Sequence, residues 1–354
     1  MNKKHWIYRS WWKISGILIF LYVLIGGMTR PLNPGVVNLS PSKAIAGETI
    51  SLEVNGYNTN FTKAENHAWL KVDSTLLIKA MSNKPLNDNT IISTFRIPDS
   101  WDKKKMNGYA TYIVYNSHDG VALKPSAVYL DSLIKGDIQE WQKGFDIDLI
   151  QPAGIRFPFR SILNETIRNT FFHVALWLSM IVLLLAGLFH AIQYLRNKNL
   201  KNDYLSAAFN RVGIFYGILG LLTGSMWARF TWGTWWTTDI KLNMSAIAML
   251  VYLAYLVLRS STLDLEKRGR LSSVYSIFAF AVLIPLIFVI PRLTSSLHPG
   301  NGGNPALGGE DLDNTLRMFF YPSIIALILI GTWIASLLYR SDLIEDKVMS
   351  EDNL

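Results

Sequence analysis

Six apolar runs constrain this chain more than any single motif does. They fall at Ile14 to Met28 and at about 170 to 195, 212 to 228, 242 to 258, 271 to 290 and 318 to 339. Each is long enough to cross a hydrocarbon layer about 30 Å thick, the shorter ones with some tilt or local thinning. Lipid offers the backbone no hydrogen-bond partners, so such runs must close their own bonds as helices. Half of the 354 residues are apolar and twelve are Trp, a membrane texture rather than a soluble one. The first run resembles a signal peptide, but it has no small-x-small cleavage pattern. Trp11, Trp12 and a snorkelling Lys13 lengthen it to a full span, so it is expected to be retained as the first transmembrane helix.

The formal charge of +8 does not point to nucleic acid, because no soluble stretch interleaves basic and stacking residues. Its distribution sets orientation instead. With the N-terminus inside, the inner segments carry Lys3, Lys4, Arg9 and Lys13, then Arg196, Lys198, Lys201 and Arg211. Arg259, Lys267, Arg268 and Arg270 follow, and finally Arg340 and Lys347. The opposite short loops hold only Arg229 and Lys241, then Arg292 and Arg317. The positive-inside rule therefore puts both termini in the cytoplasm of a bacterial inner membrane. Arg156, Arg160 and Arg168 run against the trend, facing either lipid phosphate or a ligand carboxylate. The chain has no Cys, which excludes disulfides, thiolate metal sites and covalent haem attachment.

Between the first two runs the texture changes. Thr49 to Val54, Thr75 to Ile78, Ile91 to Ile97 and Tyr109 to Tyr115 are rich in β-branched and aromatic residues. Turn-formers at Asn55-Gly56, Asn58-Thr59-Asn60, Asn87-Asp88-Asn89 and His118-Asp119-Gly120 separate them. Short strands so spaced predict an antiparallel immunoglobulin-like sandwich outside the membrane. The expected fold class is thus an all-α polytopic bundle of six transmembrane helices with an inserted all-β sandwich. Its parts are a first helix at 1–30, a periplasmic β domain at 31–159, a five-helix membrane domain at 160–340 and a cytoplasmic tail at 341–354. His67 and His118 read as ordinary surface or turn residues, with no second metal-type side chain at ligand spacing.

The loop between the third and fourth spans reads Trp232-Gly233-Thr234-Trp235-Trp236-Thr237-Thr238-Asp239, beside Arg229. Indoles anchor readily at headgroup depth. An anchoring belt needs no fixed spacing, however, and rings packed this closely beside charge also suit a flat, amphipathic ligand. On the same face lie His173, near the outer end of the second span, and His298, in the loop before the sixth. A histidine near hydrocarbon is costly unless bonded or ligated, so each is either a hydrogen-bonded interfacial imidazole or a functional residue. His190, about 25 Å of helix from His173, belongs to the inner end. His5 lies in the basic N-terminal tail. The glycine-rich stretch Pro299 to Gly309 lacks the strand and the Lys-Ser or Lys-Thr of a phosphate-binding loop. It reads as a flap or a docking segment.

The run Gly224-Ser225-Met226-Trp227 followed by Trp232 to Asp239 resembles the tryptophan-rich WWD signature of haem-handling proteins of cytochrome c maturation, closest to the CcmC type and akin to CcsA. Thr238 stands where that family usually has a further Trp, and Lys241-Leu242-Asn243 replaces Arg-Leu-Thr. The resemblance covers 165 to 340 and the first span but not the sandwich. It implies a haem-handling protein rather than an enzyme, with His173 and His298 as axial ligands of a non-covalent haem b. Trp227, Trp232, Gly233, Trp235, Trp236, Asp239 and Arg229 would line its site. The implied partners are haem, a periplasmic haem chaperone, other membrane subunits of cytochrome c maturation, and lipid. Haem chemistry agrees: iron accepts two imidazoles, the porphyrin faces favour aromatic contact and the propionates favour Arg or Lys. A b-type electron-transfer subunit, a haem or solute transporter and a synthase-like relative that also attaches the haem, with a partner supplying the further spans and histidines, remain alternatives.

Overall fold

A computed structural model describes residues 3–73, 76–101, 108–131, 134–135, 141–298 and 312–351. It divides into two compact units, Arg30–Glu165 and Met1–Thr29 together with Thr166–Leu354. The glycine-rich stretch from Pro299 to Gly309, read above as a flap or docking segment, lies outside the described residues.

The Arg30–Glu165 unit is built from β-sheets, with strands numbered in chain order. One four-stranded sheet runs β1 (Gly35–Ser40), β3 (Thr49–Tyr57), β7 (Thr90–Arg96), β6 (Ser82–Asn87). A six-stranded sheet runs β12 (Gln142–Lys143), β5 (Leu76–Lys79), β4 (His67–Lys71), β9 (Tyr109–Asn116), β10 (Gly120–Asp131), β2 (Lys43–Ile45). The short strands β8 (Ser100–Trp101) and β11 (Ile134–Lys135) pair separately. Alternation places Ile91, Ser93 and Phe95 of β7 on the buried face. They join Leu52, Leu70, Tyr112, Val114 and Trp141 in one core drawn from both sheets. The buried hydroxyls of Ser93 and Tyr112 bond across it at 2.8 Å.

The turns at 87–89 and 118–120 stand where the sequence placed them. One local expectation is corrected. Asn55-Gly56 lies inside β3 rather than in a turn, held by pairing to β1 and β7. His67 opens β4 as a half-buried residue.

The other unit contains six helices long and apolar enough to cross a membrane. These are α1 (Lys3–Thr29), α2 (His173–Asn197), α3 (Leu200–Trp232), α4 (Ile240–Ser260), α5 (Leu265–Ile284) and α6 (Asn314–Glu351). A 3-10 segment, Asn164–Phe171, leads into α2. Several helices outrun their apolar cores. Asn199 caps α3 through the Lys201 N–H and Asp264 caps α5 through the Lys267 N–H, so polar first turns are recruited into helix. Residues 341–351, expected to be tail, continue α6. Arg168 donates to the Gly27 carbonyl at 2.7 Å, near the end of α1, which gives one of the trend-breaking arginines a structural duty.

A row of glycines fixes α2 against α3. A Cβ built on Gly213 would meet Leu184 at 2.4 Å, and one on Gly217 would meet the sulfur of Met249 of α4 at 2.2 Å before that of Met180 at 2.9 Å. On Gly220 it would meet Trp177 at 2.8 Å, and on Gly224 it would meet His173 at 2.6 Å. The four glycines and the four α2 side chains follow matching one-turn intervals, so Leu184, Trp177 and His173 each fill the gap left by a missing side chain, and Met180 shares its gap with Met249 of α4.

At the opposite end of the bundle Arg259 of α4 donates two parallel 2.7 Å bonds to the buried carboxylate of Asp203 on α3. Arg211 of α3 pairs with Asp342 of α6. Removing one member of a buried pair strands the other charge, at roughly 3–5 kcal/mol, whereas removing both is far milder. Asp203→Leu is therefore expected to destabilise the chain by about that amount, and Asp203→Leu/Arg259→Met to regain most of it. Denaturant unfolding in detergent checks this, and equal stability of the single variant and the parent would refute it.

A candidate ligand site at the tryptophan loop

The loop between α3 and α4 is shorter than the sequence suggested, because Trp232 belongs to α3. Gly233 ends that helix with φ +80°, a left-handed conformation that favours glycine. The Arg229 guanidinium donates to the Gly233 carbonyl and braces this cap. Asp239 starts α4, its carboxylate accepting from the Lys241 N–H at 2.9 Å.

Asp239 has two further partners from the segment that follows α5. It accepts from the Leu297 N–H at 2.7 Å and from His298 Nδ1 at 3.0 Å. Burial works to raise its pKa, but the bonds from Leu297, Ser296 and the Lys241 N–H, together with the nearby His298, outweigh that and hold the carboxyl below the usual range. For His298, burial dominates and lowers the pKa even against the pull of Asp239. The pair at neutral pH is thus a carboxylate and a neutral imidazole. Since a carboxylate only accepts, the ring proton sits on Nδ1 and the Nε2 lone pair is left over.

The same logic applies to His173, the first residue of α2. Its Nδ1 lies 3.0 Å from the Gly220 carbonyl and 3.2 Å from Thr223 Oγ1. Thr223 spends its own proton on backbone carbonyls of α3, so both neighbours accept and Nδ1 must donate. Nε2 of His173 again carries the lone pair. The two rings pack on neighbouring positions of α3, His173 against Gly224 and His298 against Trp227 and Trp232.

The tryptophans divide into two roles. Trp227 and Trp232 pack on His298, with ring centroids at 5.6 and 5.0 Å and at 5.0 Å from each other. Trp235 and Trp236 are 60% and 42% exposed. They form an open shelf, with Trp236 Nε1 bonded to Asn243 at 3.1 Å and the Trp235 carbonyl to Ser225 at 2.9 Å. His190 stands apart, bonded to Asn202 at 3.1 Å and stacked on Phe209. Sequence reasoning missed the supports of His173: Gly220, Thr223 and the absent side chain of Gly224. The glycine spacing on α3 was the available signal.

The family model described as CcmC, Heme exporter protein C, matches residues 158–353, more than half of the chain and all of this site apart from α1. The chain belongs to the Heme exporter protein C family. It is 27% identical over 192 residues to Heme exporter protein C of Bradyrhizobium diazoefficiens, an alignment covering 53% of this chain and 70% of the relative. It is 25% identical to the protein of that name from Paracoccus denitrificans, covering 50% and 73% of the two chains. A shorter stretch of 96 residues is 35% identical to cytochrome c biogenesis protein CcsA of Prochlorococcus marinus, covering 27% and 30%. The chain is therefore a multi-pass membrane member of a haem-handling family. Most of the β unit lies outside the matched segment.

Two predictions follow from the supports of the imidazoles. Gly224→Ala drives a methyl into the His173 ring and should tilt it off its Gly220 bond, whereas Gly233→Ala disturbs only the loop. Nitrogen-15 NMR of labelled histidine should show the change of tautomer in the first variant alone. His298 also ties stability to pH. Its folded pKa lies below the ordinary imidazole value of about 6.5, so the unfolded chain binds the proton more readily. Its contribution is complete above pH 6.5 and is lost as pH falls through the lowered folded value. Unfolding temperatures measured from pH 7.5 to 5 should fall more steeply for the parent than for His298→Asn.

Proposed function

We propose that the chain binds haem b without a covalent bond, at the outer face of a bacterial inner membrane, and hands it to a periplasmic haem chaperone in cytochrome c maturation. One observation carries this reading: two imidazoles near each other, each tied at Nδ1 and each left with an Nε2 lone pair. Interfacial histidines with a purely structural role have no reason to share that arrangement, whereas bis-imidazole ligation of iron requires it.

The surrounding residues supply what the rest of the cargo needs. Trp235 and Trp236 offer apolar ring faces for the macrocycle, and Trp227 with Trp232 fixes the plane of the His298 ring. Arg229 spends one N–H on the Gly233 carbonyl and keeps others for a propionate at the rim. His173 and His298 would hold haem through its iron, which would accept their nitrogen lone pairs. Exchangeable imidazole bonds at an open surface favour transfer over storage.

The orientation expected from the basic loops, with both termini cytoplasmic, puts the site and the β unit in the periplasm. The β unit, two sheets over one core, is proposed to be an immunoglobulin-like sandwich.

The test is the absorption spectrum of the purified chain. A Soret band is expected, weakened or shifted in His173→Ala and in His298→Ala and unchanged in His190→Ala. Loss of the band in His190→Ala alone, or no band in the parent after haem addition, would overturn the assignment.

A further inference from the structure

Away from the tryptophan loop, the densest chemistry without an assigned purpose lies in the other half of the bundle, where α3, α4 and α5 meet. Asn210 of α3 is its hub. Its amide donates to the Ser206 carbonyl at 3.0 Å and lies 3.1 Å from Ser276 Oγ of α5. Ser206 Oγ donates to the Gly187 carbonyl of α2 at 2.9 Å. Tyr275 Oη donates to the Val251 carbonyl at 3.0 Å, which sets α5 and α4 level with each other here.

Beside this bonded hub are hydroxyls with nothing to bond. Tyr252 Oη of α4 and Ser272 Oγ and Ser273 Oγ of α5 are buried and lack a partner among the described residues. All three residues are at most 2% exposed. Tyr255 Oη faces Asn210 without meeting bonding geometry, and its residue is fully buried. A buried hydroxyl left unpaired keeps its whole desolvation cost, and folded proteins meet such groups with ordered water. Several of them within one turn on two facing helices, next to an Asn that bonds α3 to α5 and packs on Gly187 of α2, describe the lining of a wet site. The donor set is hydroxyl and amide with no imidazole or thiolate, which suits water and not a transition metal.

We propose that α3, α4 and α5 enclose a hydrated pocket, lined by Tyr252, Tyr255, Ser272, Ser273 and Asn210, that binds ordered water inside the bundle. Arg259, one turn beyond Tyr255 on α4, and its partner Asp203 on α3 would form its polar mouth. Tyr252 lies eight residues, about 12 Å, from the end of α4, so water admitted at that end reaches toward the middle of the span.

Hydroxyl-radical footprinting of the full chain in detergent, read by mass spectrometry, tests this, because radicals form from water at the site. Tyr216 is the control, equally buried but bonded to the Leu327 carbonyl at 2.9 Å. Tyr252 and Tyr255 should be oxidised several-fold faster than Tyr216, approaching exposed Tyr109. Rates as slow as that of Tyr216 would overturn the proposal. Tyr252→Phe gives a second reading. A dry site would gain from losing an unpaired hydroxyl and the unfolding temperature would rise, which would also overturn the proposal. A wet site loses a water bond and the temperature falls.

Discussion

One carboxylate holds three parts of the membrane unit together. Asp239 caps the first turn of α4, ties down the backbone at Leu297 and fixes the tautomer of His298. None of these bonds alone is unusual. Their convergence on a single buried group means that the loop after α3 and the segment after α5, more than fifty residues apart in sequence, are set by the same pair of oxygens. A carboxylate at a helix N-terminus is already favoured by the helix dipole, so the ionised form that the imidazole requires is the form the helix stabilises.

The two imidazoles are held in different ways. His173 stands on a helix and is backed by the glycine row of α3, with a backbone carbonyl as its acceptor. His298 stands on an irregular segment reached through a π-helical turn at Pro285–Val289 and a 3-10 turn at Ile290–Arg292, and its acceptor is a side chain. One donor is built into the scaffold and the other is strapped onto it. For a protein proposed to pass its cargo on, that asymmetry separates the grip that stays from the grip that yields.

Much of this was legible in the sequence. Apolar length alone required six helices, and β-branched runs broken by turn residues marked the β unit. The histidines and indoles stood out because polar or aromatic groups at membrane depth need partners. Pair-level detail was not legible. Asn55-Gly56 has turn chemistry, yet neighbours on both sides draw it into β3. The polar starts of α3 and α5 look like loops until their caps and the Arg259–Asp203 pair are seen. The support of His173 by Thr223 and Gly220 depends on which turns of two helices face each other, and apolar periodicity leaves that register open.

The glycine row on α3 has a consequence for that register. Three rungs accept one α2 side chain of particular bulk and the fourth, at Gly217, is shared by Met180 and Met249, so sliding α2 by a turn, about 5.4 Å, would offer the gaps the wrong occupants. The row therefore works as a ruler, setting the height of His173 above the membrane interior. A change in the size of any α2 rung residue demands a matching change across the seam, so the two helices are bound to evolve as a pair.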